Sequence, residues 1–259
     1  MRIDKLVQIK GLVKSREAAQ RIIKAGALSV NGKVVTKPSF DADEDASLEI
    51  IGEIMPYVSR GGLKLEKAID VFSIDVNGLD CVDVGASTGG FTDCLLKHGA
   101  SRVRAFDVGR AQLDKTLAED PRVISYEGIN ARYVTPEDIG GRCELAVCDV
   151  SFISLTLILG AVRGLINDGG SFVALIKPQF EAGRENVGKG GIVKDRNVHA
   201  EVIKRVIGSA EGFGFACLGL CASPILGGDG NREYLARFCA KDMPSSVTEY
   251  EIRKTVFDA

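Results

Sequence analysis

The sequence predicts an α/β protein: a mostly parallel sheet covered by helices on both faces, preceded by a small α+β module. Three observations predict it. From about residue 60 onwards, apolar strand-like runs alternate with helix-like stretches. A glycine-rich turn, DVGASTGGFTD from Asp83 to Asp93, closes the first of those runs and opens a helix-like one. The first 40 residues carry nine Lys or Arg against two acids, in a chain whose net charge is −2. A basic head on an acidic body is the pattern of a polyanion-binding module joined to something else.

In the head, Ser15 is placed to cap a helix over Arg16–Lys24, with Ala18, Ala19, Ile22 and Ile23 as its buried face. Gly26 ends that helix. Leu28–Val30 and Lys33–Val35 flank Asn31-Gly32, the signature of a type I′ hairpin turn. The strand-like Ser47–Ile51 closes the unit, and acidic Asp41–Asp45 reads as a solvated loop. This places a domain at residues 1–53 and a linker with Pro56 at 54–59.

The body is predicted over residues 60–245. A helix with Leu63, Leu65, Ala68, Ile69 and Phe72 comes first. Strands follow at Leu79–Val84, Arg102–Phe106, Arg122–Ser125, Leu145–Val150, Ser171–Ile176, Phe215–Ala222 and Glu233–Phe238. The last pair reads as a hairpin adding one antiparallel strand to a parallel sheet. Residues 246–259 form a tail with room for a short helix.

Strand, glycine loop, helix, strand, acid is the layout of a nucleoside-cofactor site, with Asp107 placed to accept ribose hydroxyls. The loop spacing is G-x-x-x-G-G, not the G-x-G-x-x-G that holds a pyrophosphate. It suits S-adenosylmethionine, which has no phosphate and carries an amino-acid tail. The same loop is also compatible with a tight βα turn that holds nothing.

Four polar residues stand at element ends: Lys64 near the start of a helix, Asp149 and Lys177 at carboxyl ends of strands, and Glu233 at the start of the last strand. In an open α/β sheet these ends share the crevice of the glycine loop. A ribose hydroxyl is a poor nucleophile at neutral pH, so its proton must be taken or stabilised. Lysines and carboxylates together can do this. Lys177 is expected to be the principal base or hydroxyl activator. Lys64 is expected to orient the ribose and depress the Lys177 pKa, with Asp149 and Glu233 holding the lysines and balancing charge.

Residues 1–53, through RIDKLV and KSREAAQRIIKAGALSVNGKVVTKPS, resemble the S4 RNA-binding domain. The order of Lys64, Asp149, Lys177 and Glu233 resembles the Lys-Asp-Lys-Glu tetrad of FtsJ-like ribose 2′-O-methyltransferases. With VSRGGLKL, VGASTGGFTD, CDVSFISL and KPQFEAGRENVGKGGIVKD, nearly the whole chain is similar to the TlyA family of ribosomal RNA cytidine-2′-O-methyltransferases, also labelled haemolysin A. The resemblance implies a Rossmann-like class I methyltransferase with a seven-stranded sheet. It implies S-adenosyl-L-methionine as cofactor, ribosomal RNA within ribosomal subunits as partner, and a cytoplasmic location. Implied cofactor contacts are Gly85, Ser87, Gly89, Gly90, Phe91, Thr92, Asp107, Asn130 and Asp149. RNA contacts are expected from Arg2, Lys5, Lys14, Arg16, Arg21, Lys24, Lys33, Arg60 and Lys189, with Arg110, Arg184, Lys194 and Arg196 able to steer phosphates.

Other classes are set aside on the residues. Gly183 to Lys189 spells most of a P-loop, but Gly190 replaces the magnesium-binding hydroxyl. No cysteines form a C-x-x-C pair, and the odd thiol count suits a reducing compartment. MRIDKLVQIK lacks the apolar core of a signal peptide, and Leu155–Val162 is too short to span a bilayer. The competing readings are a non-catalytic RNA-binding or ribosome-assembly factor and a membrane-active haemolysin.

Overall fold

The computed structural model describes residues 1–13, 15–52 and 55–258. The chain divides into two compact units, Met1–Val58 and Ser59–Ala259.

In the first unit, helix α1 (Ile3–Ile9) and helix α2 (Arg16–Lys24) pack together beside a small antiparallel sheet. Its strands are β1 (Leu28–Val30), β2 (Lys33–Val34) and β3 (Leu48–Ile50), in the order β2-β1-β3. Ser15 Oγ accepts from Ala18 N at 3.1 Å, the cap expected from sequence. Asn31 and Gly32 both have positive φ, 50° and 78°, as a type I′ turn requires. Ile3, Leu6, Val7, Ile22, Ile23 and Leu28 form the core of this unit.

The second unit begins with α3 (Gly61–Phe72), then β4 (Asp80–Val84), α4 (Gly90–Lys97), β5 (Arg102–Asp107), α5 (Lys115–Ala118), β6 (Val123–Glu127) and β7 (Cys143–Cys148). It continues with α6 (Leu159–Leu165), β8 (Ile166–Ile176), α7 (Pro178–Glu181), α8 (Arg196–Glu211), β9 (Ala216–Ala222), β10 (Tyr234–Cys239) and α9 (Glu249–Phe257). The seven-stranded sheet runs β6-β5-β4-β7-β8-β10-β9. All pairings from β6 through β8 are parallel, and β10 is antiparallel to both β8 and β9.

The hairpin adds the one antiparallel strand expected, β10, which inserts between β8 and β9. Tyr234–Cys239 is apolar enough to be buried on both faces, so it belongs inside the sheet and leaves Ala216–Ala222 at the edge. Consecutive buried residues along β7 and β8 show that helices cover both faces there. Phe172, Phe215 and Phe238 meet in the core with ring centroids 5.4 to 6.0 Å apart. Residues 246–259, set apart by sequence as a tail, carry α9, whose Ile252 and Val256 enter that same core. Thr248 and Glu251 close a capping box at its start. Among the described residues, no helix is long and apolar enough to cross a membrane.

Candidate active site

The sheet order brings four loop ends to one edge. The glycine loop leaves β4, Asp107 ends β5, and Asp149 and Lys177 are the first residues after β7 and β8. Because β10 runs the opposite way, Glu233, just before it, reaches the same edge. The helix α3 supplies Lys64.

The glycines of the loop serve the protein as much as a ligand. Gly89 has φ 91°, and a Cβ there would come within 2.3 Å of Leu117 Cδ1. A Cβ on Gly90 would meet Ser59 Oγ at 2.2 Å and Gly62 N at 3.0 Å. Small residues are therefore required where the start of α4 passes the start of α3.

Two adjoining cavities open at this edge. The first, of about 280 Å³, is walled by Arg60, Lys64, Asp83, the loop residues Gly85, Ser87, Gly90 and Phe91, and by Asp149, Ser151 and Lys177. The second, of about 450 Å³, is walled by Asp107, Asn130 and Gln112 among apolar Phe106, Val108, Ile129, Val150, Phe152 and Ile153. Gly85, Ser87, Asp149 and Ser151 belong to both, so the two halves form one crevice.

Both lysines of the first half are paired. Lys64 Nζ donates to Glu233 Oε2 at 2.6 Å, with both side chains almost wholly buried. Lys177 Nζ lies 2.6 Å from Asp149 Oδ1 and donates to Ser151 Oγ at 2.7 Å. Glu233 does not line the cavity; it stands behind Lys64. Ionic partners for buried ammonium groups offset the cost of removing them from water.

Asp107 ties the glycine loop to β5. Its Oδ2 accepts from Ser87 N at 2.9 Å and its Oδ1 from Gly109 N at 2.8 Å. A carboxylate held by two backbone donors keeps a fixed orientation and still has free lone pairs. Gly89 and Thr92, expected at the cofactor, line neither cavity. Gly89 packs on Leu113 and Leu117, and the Thr92 hydroxyl is spent on Asp83 Oδ2 at 2.7 Å.

Asp83 is the residue that sequence reading passed over. It is fully buried, it lines the first cavity, and its Oδ1 has no hydrogen-bond partner. Burial pushes its pKa up to about 7, against the Thr92 hydrogen bond that lowers it, with the nearby Asp149 charge adding to the rise. The signal was present: one acid inside the apolar run Cys81-Val82-Asp83-Val84. An orphaned carboxyl facing a polar cavity fits the ammonium of an amino-acid tail, and the apolar second half with Asp107 fits an adenosine. The crevice thus accommodates S-adenosylmethionine.

An aromatic pair lies beside Lys177. Phe152, with φ 63° and 92% of its surface exposed, sits 5.1 Å from Phe180, whose ring centroid is 5.8 Å from Lys177 Nζ. Gln179, Gly183 and Arg184 join them around an open cavity of about 500 Å³. An exposed aromatic in a left-handed conformation is costly to keep without a task.

The basic residues expected at RNA divide. Arg2, Lys5, Arg16, Lys24 and Lys33 are exposed, and Arg21 is half-buried. Lys14 lies outside the described residues. Arg60 is exposed at the rim of the first cavity, and Lys189, Arg110, Arg184 and Lys194 are exposed. Arg196 instead donates to the Phe257 carbonyl at 2.7 Å, anchoring α9.

A family model described as FtsJ-like methyltransferase matches residues 57–239, and an S4 domain model matches residues 1–47. A Bacillus subtilis protein provisionally named rRNA methyltransferase YqxC is 50% identical over 90% of this chain and 84% of its own length. The Mycobacterium tuberculosis 16S/23S rRNA (cytidine-2′-O)-methyltransferase TlyA is 43% identical over 90% of this chain and 87% of its own. A solved Streptococcus thermophilus structure, provisionally named a haemolysin, is 46% identical with a TM-score of 0.79 and spans 100% of this chain and 94% of its own.

Proposed function

This chain belongs to the FtsJ-like methyltransferase family, and we propose that it methylates the 2′-hydroxyl of a cytidine in ribosomal RNA, within a ribosomal subunit in the cytoplasm. The observation that carries this reading is the meeting, at one sheet edge, of two lysine–carboxylate pairs with a crevice shaped for S-adenosylmethionine. When bound, S-adenosylmethionine supplies an electrophilic methyl carbon whose bond to sulfur breaks as its bond to oxygen forms.

The chain's own residues do the rest. Asp83 would hold the ammonium of the amino-acid tail, and Asp107 would accept hydrogen bonds from the ribose of the cofactor. Asp149 and Ser151 hold Lys177 Nζ at the cavity wall. Lys177, once its ammonium has given a proton to solvent, would orient the substrate hydroxyl and take the proton that oxygen loses. Glu233 holds Lys64 at the cavity wall, where the ammonium would orient the ribose and stabilise charge developing on oxygen. Phe152 and Phe180 offer the target base a face to stack on, which draws it out of the RNA and seats its ribose beside Lys177. The S4 domain supplies affinity for folded RNA through phosphates and shape.

The test is methyl transfer from labelled S-adenosylmethionine to small and large ribosomal subunits that lack the modification, followed by nucleoside analysis. The expected product is 2′-O-methylcytidine in at least one subunit. Lys177→Ala is expected to bind the cofactor and to lose transfer by about 100-fold or more. Near-normal transfer by that variant would remove Lys177 from its role. Cofactor binding without transfer to either subunit would favour an RNA-binding factor.

A further inference from the structure

Asp4 is an anomaly in a basic module. It is one of two acids among the first 40 residues, it is fully buried, and it opens α1. Three side chains converge on it. Arg2 donates from Nε to Oδ1 at 3.1 Å and from Nη2 to Oδ2 at 3.0 Å. Arg16 donates from Nε to Oδ2 at 3.0 Å, and Gln20 Nε2 donates to the same oxygen at 2.9 Å. These hydrogen bonds, Arg2 foremost, outweigh burial and hold the carboxyl well below the usual carboxylate range. It is ionised at any pH at which RNA is folded.

The two arginines are not consumed by this contact. Their side chains are 48% and 44% exposed. Arg2 keeps Nη1 free of Asp4, and Arg16 keeps both terminal nitrogens free of it. Both lie against one carboxylate oxygen, so their bonded nitrogens are no farther apart than twice the hydrogen-bond length. Two forked cations at that spacing match one phosphate or two neighbours along a strand. An unrestrained arginine loses rotamer freedom when it is fixed. Here part of that loss is taken during folding and not on binding.

We propose that Asp4 is a positioning residue: it fixes Arg2 and Arg16 side by side as a preformed clamp for the phosphates of folded RNA. The proposal rests on reading the S4 domain of this chain as an RNA-binding surface. It makes a prediction opposite in sign to simple charge counting. Removing an acid from a basic surface should strengthen binding to a polyanion. Removing the residue that aims two arginines should weaken it.

The experiment is a binding titration of the full-length protein with purified small and large ribosomal subunits lacking the modification, over a series of potassium chloride concentrations. Asp4→Asn is expected to weaken binding about tenfold and to flatten the salt dependence. Equal or tighter binding by Asp4→Asn overturns the proposal. Because that variant could loosen the module, Asp4→Asn is also made in an Arg2→Ala/Arg16→Ala background. If Asp4 acts through the arginines, the added change has no further effect there. A second loss of the same size indicates unfolding of the module and overturns the proposal. If Arg2→Ala/Arg16→Ala binds like the wild type, the RNA-binding reading of this surface fails, and the clamp with it. If that double variant weakens binding while Asp4→Asn does not, the reading stands and the clamp alone falls.

Discussion

Thr92 Oγ1 donates to Asp83 Oδ2 at 2.7 Å, and the other oxygen of that fully buried carboxyl is without a partner. One helix residue therefore orients an acid whose second oxygen waits on the cavity.

This arrangement makes stability and cofactor binding respond to pH in opposite ways. Asp83 titrates near 7 in the folded protein against an ordinary 3.8. Between those values the folded chain holds a proton that the unfolded chain has released. The stabilisation from this group is complete below the lower value and is lost as pH rises through 7. Asp83→Asn does not titrate. In cofactor-free protein it should gain a few kcal/mol relative to wild type between pH 5 and pH 8, measured by denaturant unfolding. Its affinity for S-adenosylmethionine should fall at least tenfold at pH 8, measured by calorimetry. Equal pH profiles for the two proteins would contradict the assignment.

The Lys64–Glu233 pair joins residues 169 positions apart with both side chains buried. Glu233→Gln leaves an ammonium without its carboxylate and should cost about 3 kcal/mol or more in thermal unfolding. Lys64→Met/Glu233→Leu removes both charges and should recover most of that loss. Both variants should be poor in methyl transfer. A double variant no more stable than the single would show that the ion pair is not the cause.

Phe152 separates substrate effects from folding effects. Its ring is exposed and its φ is 63°, so Phe152→Gly relieves backbone strain and should raise stability by about 1 kcal/mol. Base–aromatic stacking contributes about 1–3 kcal/mol. The same variant should therefore slow methyl transfer to ribosomal subunits tenfold or more at saturating cofactor, as steady-state kinetics would show.

Glu181 ties two loops of the site together. Its Oε1 accepts from Leu155 N at 2.6 Å and its Oε2 from Ser154 Oγ at 2.7 Å. The turn after Lys177 is thereby joined to the loop that carries Asp149 and Ser151. Glu181→Ala strands a buried backbone donor and should cost about 2–3 kcal/mol in urea unfolding at pH 7. A loss below about 0.5 kcal/mol would mean that water replaces the carboxylate.

Much of this architecture could be read along the chain because its signals are local. The Ser15 cap, the Asn31-Gly32 turn and the alternation of strand and helix each depend on neighbours a few residues away. The placing of Asp107, Asp149 and Lys177 at strand ends followed from that alternation, with each carboxyl-terminal strand boundary falling within a residue or two, although β8 begins at Ile166 and not at Ser171.

By itself, then, the sequence determined the elements, their order, and which polar residues stand at the carboxyl edge of the sheet. The tertiary structure alone decided who meets whom. It chose Glu233 for Lys64 and Asp149 with Ser151 for Lys177, because sheet order, not chain order, sets those neighbours. It set the Thr92 hydroxyl against Asp83, and left Asp83 Oδ1 unsatisfied, because burial on both faces of β4 removes water that any linear reading would allow. It placed β10 inside the sheet and brought α9 into the core, since apolar surface from distant segments is removed from water only when they pack together.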